Sequence, residues 1–140
     1  MFSVAKELSS MGNEVHVFPD HWFLGNVSFK VTNLFFPKIF RHYVKRLLLS
    51  TRNHKESIII CDSWKSVNAV PKPFKNIYCF AMGQEFLVKS KKMKNIQNSI
   101  DRLKKIIPIT NYTKQLLKKS WIVQNSKINV INPTFSLPSR

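Results

Sequence analysis

Acidic residues are scarce in this chain: seven Asp and Glu face 23 Lys and Arg, for a net charge of +16. That balance attracts polyanions, whether nucleic acid, an anionic bilayer or a phosphorylated substrate, and charge alone does not choose among them. Cysteine is equally sparse. Cys61 and Cys79 both sit in apolar runs, as reduced buried thiols of a cytosolic protein do, which argues against a disulfide. No CxxC or His/Cys spacing suggests a metal. His16, His21, His42 and His54 lack both a His-x-x-x-His pattern and an acidic partner at ligand spacing, so no metal site is assigned. With only three glycines there is no Gly-rich phosphate loop, and there is neither a Walker sequence nor a nucleophile elbow.

Long apolar runs are missing too. A bilayer span needs about 20 such residues, and the longest candidate, Phe35 to Leu49, is interrupted by Lys38, Arg41, His42, Lys45 and Arg46. The N-terminus does not read as a signal peptide, because Lys6, Glu7 and Glu14 fall where its apolar core would lie. The expectation is a cytoplasmic protein, either free in the cytosol or peripheral on the inner membrane face.

What is present is an alternation of strands and basic helices. At 140 residues and 44% hydrophobic, the chain has material for one domain, 1–140, with a core of its own, and not for two. Phe2, Val4, Ala5 and Leu8 suit one helix face, with Gly12 placed for a left-handed C-cap. Glu14 to Phe18 alternates as a strand, and Val27 to Leu34 does so as a half-exposed or edge strand. After Pro37, Phe40, Tyr43, Val44, Leu47 and Leu48 recur at helical spacing, with Lys38, Arg41 and Lys45 along another face. Ser57 to Cys61 reads as a buried parallel strand, after which Asp62 or Ser63 caps a short helix ending before Pro71. Asn76 to Ala81 is the next strand. Lys89 to Lys105 is a basic stretch with Met93, Ile96, Ile100 and Leu103 at helical spacing, its charge in water. Ile106 to Ile109 is a strand, Thr110 or Asn111 caps a helix carrying Leu116 and Leu117, and Lys127 to Ile131 is the last strand, stopped by Asn132 and Pro133.

This order predicts an α/β fold: a Rossmann-like parallel sheet with flanking helices, which binds ligands at the carboxyl ends of its strands. Because acids are few, Asp20, Asp62 and Glu85 stand out, each following a predicted strand. Asp62 has a helix N-cap as its plainer role and Asp20 a turn, whereas Glu85 has no evident capping role and suits a hydrogen bond to a substrate hydroxyl. Gly83 permits either a turn or a close backbone approach. Thr110 and Asn111 are caps first, with any ligand met by the N–H groups of the helix they start.

A family resemblance rests on three stretches. Ala5-Lys-Glu-Leu-Ser-Ser-Met-Gly-Asn-Glu-Val-His-Val17 resembles the LAxxLxxxGHEVxV opening of retaining GT-B glycosyltransferases of the family-four type, with Asn13 in place of the usual His. Ile77-Tyr-Cys-Phe-Ala-Met-Gly-Gln-Glu85 resembles the branch whose strand ends in QxYE, with Met82 for Gln and Gln84 for Tyr. Ile107-Pro-Ile-Thr-Asn-Tyr-Thr-Lys-Gln-Leu-Leu117, followed by Lys127-Ile-Asn-Val-Ile-Asn132, is similar to xxSxxTxxxL…KxxVIxNG, with Thr110 for Ser and Pro133 for Gly.

The resemblance implies an incomplete GT-B N-terminal domain, the acceptor-binding half of an enzyme that transfers a sugar from a nucleotide-sugar to a glycan or lipid-linked glycan. The first strand with its Gly-rich turn and the C-terminal donor domain are expected to be absent, so catalysis by these residues alone is not expected. It also implies an acceptor site at Asp62, Ser63, Gly83, Glu85, Thr110 and Asn111. The chain itself takes no cofactor; the parent enzyme uses its nucleotide-sugar without an obligatory metal. In a sheet ordered 3-2-1-4-5-6 the missing strand is central, which leaves two strand edges to pair with each other or with a second chain; the other role expected of a second chain is to supply the missing domain. A second expectation concerns an anionic membrane surface, met by Lys38, Arg41, Lys45 and Arg46. The alternative to the glycosyltransferase is a small basic module for nucleic acid or anionic membrane; nucleic acid ranks behind, since no helix-turn-helix or RNP motif is present.

Overall fold

The computed structural model describes residues 2–86 and 93–131, without the side chains of Lys38, Ile39 and Glu85. The expectations placed on Lys89 to Lys92, on the Asn132–Pro133 stop and on the side chains of Lys38 and Glu85 lie outside the described residues. The chain is α/β with parallel strands throughout, gathered into two small sheets flanked by helices. It divides into two compact units, one reaching to Leu49 and one beginning at Ser50.

In the first unit, helix α1 (Phe2–Ser10) turns its small residue Ala5 inward. Gly12 ends it with φ +83°, while its N–H reaches the Ser9 carbonyl and that of Asn13 the Leu8 carbonyl. Those two bonds satisfy carbonyls that the helix end would leave open, and the left-handed residue between them carries no Cβ penalty. Strands β1 (His16–Val17) and β2 (Lys30–Val31) then pair in parallel, His16 opposite Lys30. Both are shorter than their alternating patterns predict. Helix α2 (Lys38–Ser50) follows Pro37, whose carbonyl accepts from the N–H groups of Phe40 and Arg41.

The second unit holds the larger core. Strands β3 (Ile59–Cys61), β4 (Ile77–Ala81) and β5 (Lys105–Pro108) form one parallel sheet in that order. The predicted burial of the first of them is met in part: Ile59 and Ile60 are half-buried and Cys61 is buried, as suits an edge strand. In the central β4, Ile77, Cys79 and Ala81 are fully buried and the residues between them half-buried. Helices α3 (Trp64–Ala69), α4 (Met93–Arg102) and α5 (Asn111–Ser120) bury Val67, Ile96, Ile100 and Leu117. Burial of aliphatic side chains of this size contributes about 1.5–3 kcal/mol each.

Two expectations are corrected here. Met93 is exposed although it shares the helical spacing of Ile96 and Ile100, because it opens the helix rather than lying mid-face. The last strand reduces to an isolated bridge from Ile128 to Ile106, with the N–H groups of Asn129 and Ile131 bonding the carbonyls of Ile106 and Pro108. A parallel ladder continuing past that bridge needs an N–H from position 108 between those two bonds, and proline has none.

Candidate functional site

Because β3, β4 and β5 run parallel and adjacent, the loops that follow them open on one edge of the second unit's sheet. Asp62 and Ser63 follow β3, Met82 to Glu85 follow β4, and Thr110 and Asn111 follow β5. All six sequence-predicted acceptor residues therefore belong to this edge. What each does there differs from residue to residue.

Ser63 is the N-cap of α3, accepting from the Ser66 N–H, while Asp62 is exposed and accepts from the Ser66 hydroxyl at 2.7 Å. The cap thus falls to Ser63, and Asp62 stands exposed beside it. Thr110 is the N-cap of α5: its Oγ1 accepts from the Thr113 N–H at 3.1 Å and lies 3.0 Å from the Thr113 hydroxyl. Asn111 is the first residue of that helix and is exposed.

Gly83 has φ +110°, and a Cβ built on it would stand 3.1 Å from Thr113 Oγ1. A tight turn and a close approach to α5 both require the glycine, so the contact it allows is with the protein's own helix. Beyond it, Gln84–Phe86 makes one 3₁₀ turn in which the Phe86 N–H bonds the Gly83 carbonyl. The backbone of Glu85 lies in that turn. Phe86 is buried, and its carbonyl accepts from Trp121 Nε1 at 3.1 Å, which fixes the loop from the far end of α5.

Three side chains at this edge escape the sequence reading. Thr113 is buried and joins the β4 loop to the cap, while Met82 and Tyr112 are large and exposed. The three-residue spacing from Thr110 to Thr113 is the signal that locates the first; exposure of the other two leaves no trace in the pattern.

The basic residues assigned to a membrane surface lie in the first unit. Lys45 Nζ meets Asp20 Oδ1 at 2.5 Å with its side chain largely buried. Arg41 donates to the carbonyls of Phe36 and Asp20. Arg46 is exposed on another side of the helix. Burial pushes the Asp20 carboxyl up, but the hydrogen bond and charge of Lys45, aided by His21 and His42, outweigh it and hold the group below its ordinary value.

Among the described residues no group of three or more His, Cys, Asp or Glu is gathered as a metal ion requires, and no helix is long and apolar enough to cross a membrane. Cys61 and Cys79, side by side on β3 and β4, are buried and not joined in a disulfide. No family model, curated protein or solved structure matches the chain.

Proposed function

We propose that these residues form the acceptor-binding half of a glycosyltransferase, receiving a glycan or lipid-linked glycan at the carboxyl edge of the β3–β4–β5 sheet. The observation that carries the reading is the convergence of three loops on that edge. They set the exposed Asp62 carboxylate, the exposed Asn111 amide and the exposed Tyr112 ring on a rigid base of capped helices and the Gly83–Thr113 contact. A carboxylate and an amide accept and donate hydrogen bonds to vicinal hydroxyls, and an aromatic face packs against the C–H face of a sugar ring. Ligands of open parallel sheets bind at this edge. The reading gives these residues acceptor binding alone and assigns the nucleotide-sugar to a separate domain.

Titrating the labelled chain with a panel of glycans and lipid-linked glycans, followed by amide NMR, tests it. The reading expects perturbed resonances at 62–63, 82–85 and 110–113, and their loss in Asp62→Ala. Perturbation confined to other residues, or none with any glycan, overturns it.

A further inference from the structure

Positive charge is divided unevenly between the two units. Residues 1–49 hold six Lys and Arg against three Asp and Glu, while residues 50–140 hold 17 against four. Within the second unit, lysines gather where strands begin. Lys55 lies in the turn before β3, Lys75 two residues before β4, Lys104 and Lys105 at the start of β5, and Lys127 one residue before the bridge at Ile128. Because these segments are parallel, their amino ends share one edge of the sheet, opposite the edge that carries Asp62, Gly83 and Thr110. Neighbouring strands stand about 4.8 Å apart, so the lysines form a file roughly 14 Å long.

Most of this file is held in place. Asn76 joins two of its members, donating from Nδ2 to the Lys55 carbonyl at 3.4 Å and accepting at Oδ1 from Lys104 Nζ at 3.0 Å. Lys105 Nζ donates to the Ser126 carbonyl at 2.6 Å, and Lys127 Nζ to the Asp101 carbonyl at 3.1 Å. These acceptors are neutral, so they position the ammonium groups without cancelling their charge. No carboxylate pairs with any of the five lysines among the described residues. Glu56 is exposed, and Asp101 turns one oxygen to the Gln97 amide.

The plainer role of Lys127 is to close the carboxyl end of α4, and that of Lys55 and Lys75 is a solvated edge. Neither accounts for Lys105 beside Lys127. Both are half-buried, and each stands one residue before the Ile106–Ile128 bridge. Two like charges kept that close disfavour each other unless an anion joins them.

We propose that this amino edge binds the phosphate backbone of duplex nucleic acid without reading its sequence. The proposal is independent of the sugar-transfer reading, which uses the opposite edge. A duplex carries one charge per about 1.7 Å of its axis, and a straight file of cations meets it as one linear array meets another. Phosphate contacts carry no sequence information, which agrees with the lack of a base-reading motif. Single strands and bilayers both use aromatic rings, the first to stack and the second at its boundary. Among the described residues of the second unit, the Trp, Tyr or Phe ring that is exposed is Tyr112, at the other edge.

The test is fluorescence anisotropy of the full chain with a short labelled DNA duplex, repeated over a range of salt concentrations. Neutralising four or so phosphates gives log Kobs against log salt a slope of about −4. Lys105→Gln with Lys127→Gln should flatten it to about −2. Lys55→Gln with Lys75→Gln, which breaks no side-chain tether, should flatten it as much, so a folding defect in the first pair does not decide the outcome. Lys65→Gln with Lys114→Gln, on α3 and α5 near the carboxyl edge, should leave the slope unchanged. Equal flattening by that last pair overturns the proposal, because it marks diffuse attraction. So does a slope that neither amino-edge pair moves, the absence of duplex binding, or tighter binding to single-stranded DNA or to phosphatidylglycerol vesicles at matched phosphate.

Discussion

Gly83 stands against Thr113, with only 3.1 Å between the place of a Cβ on the glycine and the threonine hydroxyl, at a φ of +110°. This contact seats the loop after β4 on the first turn of α5, and the same threonine is bonded to the cap at Thr110. The edge of the sheet is therefore built from the backbone outward, with three of the six candidate residues, Ser63, Gly83 and Thr110, serving as structure. It leaves the exposed Asp62 and Asn111 to meet a ligand.

Gly83→Ala is expected to cost roughly 1–3 kcal/mol, chiefly from forcing a side chain into a left-handed conformation. Adding Thr113→Ala should recover only the crowding part, because the dihedral strain remains. Urea denaturation of the two variants separates the effects. An unchanged midpoint for Gly83→Ala alone would show that the turn is not held as described.

Arg102 is the clearest case of a basic residue spent on structure. Its guanidinium donates to the carbonyls of Val67, Val70 and Pro71, at 3.0, 2.8 and 3.1 Å, where α3 ends. Val67 and Val70 are buried, so their carbonyls have little access to replacement water. Arg102→Ala should destabilise the chain by about 1.5–3 kcal/mol, and Arg102→Lys should rescue only part, since an ammonium cannot fork across the three acceptors. Equal stability of the lysine variant and the native chain would contradict that geometry.

Much of the fold is legible in the sequence because short-range rules set it. Ser63 and Thr110 are hydroxyls placed before helical runs, Gly12 follows one, and the apolar runs of β3, β4 and β5 read directly as parallel strands. The rest depends on distant contacts. Nothing local says that Arg102 reaches α3, or that Gly83 meets Thr113 thirty residues on. The truncation of the last strand was within reach, since Pro108 lacks the N–H that a longer ladder needs. The outward face of α2 was not, because Phe40, Tyr43 and Leu47, all exposed, repeat at the spacing of a core-facing helix.

The Asp20–Lys45 pair should make stability fall in acid. Its folded pKa lies below the ordinary 3.8, so the stabilisation is present above that value and is lost as pH falls through the lower folded one. The Asp20 side chain is 60% exposed, which limits the effect to about 1 kcal/mol or less. Lys45→Met should raise the carboxyl pKa, since burial then acts with less opposition, and a carbon-detected titration of Asp20 reads it directly. A pKa unmoved by that substitution would remove Lys45 as its partner.

The two units differ in how much apolar surface they bury, and hydrogen exchange should show it. In the first, Ala5, Phe29 and Leu34 are the buried apolar side chains among the described residues, and its sheet is a ladder of two residues. In the second, β4 is bonded on both sides and flanked by buried Val67, Phe86, Ile96, Ile100 and Leu117. Opening free energies track local burial, from about zero in weakly packed segments up to the global value in core strands. The amides of Cys79, Ala81, Ile107 and Ile109 should therefore exchange slowest, and those of β1 and β2 far faster under native conditions. Uniform protection across both units would mean that the short sheet is stabilised by more than the packing described for it.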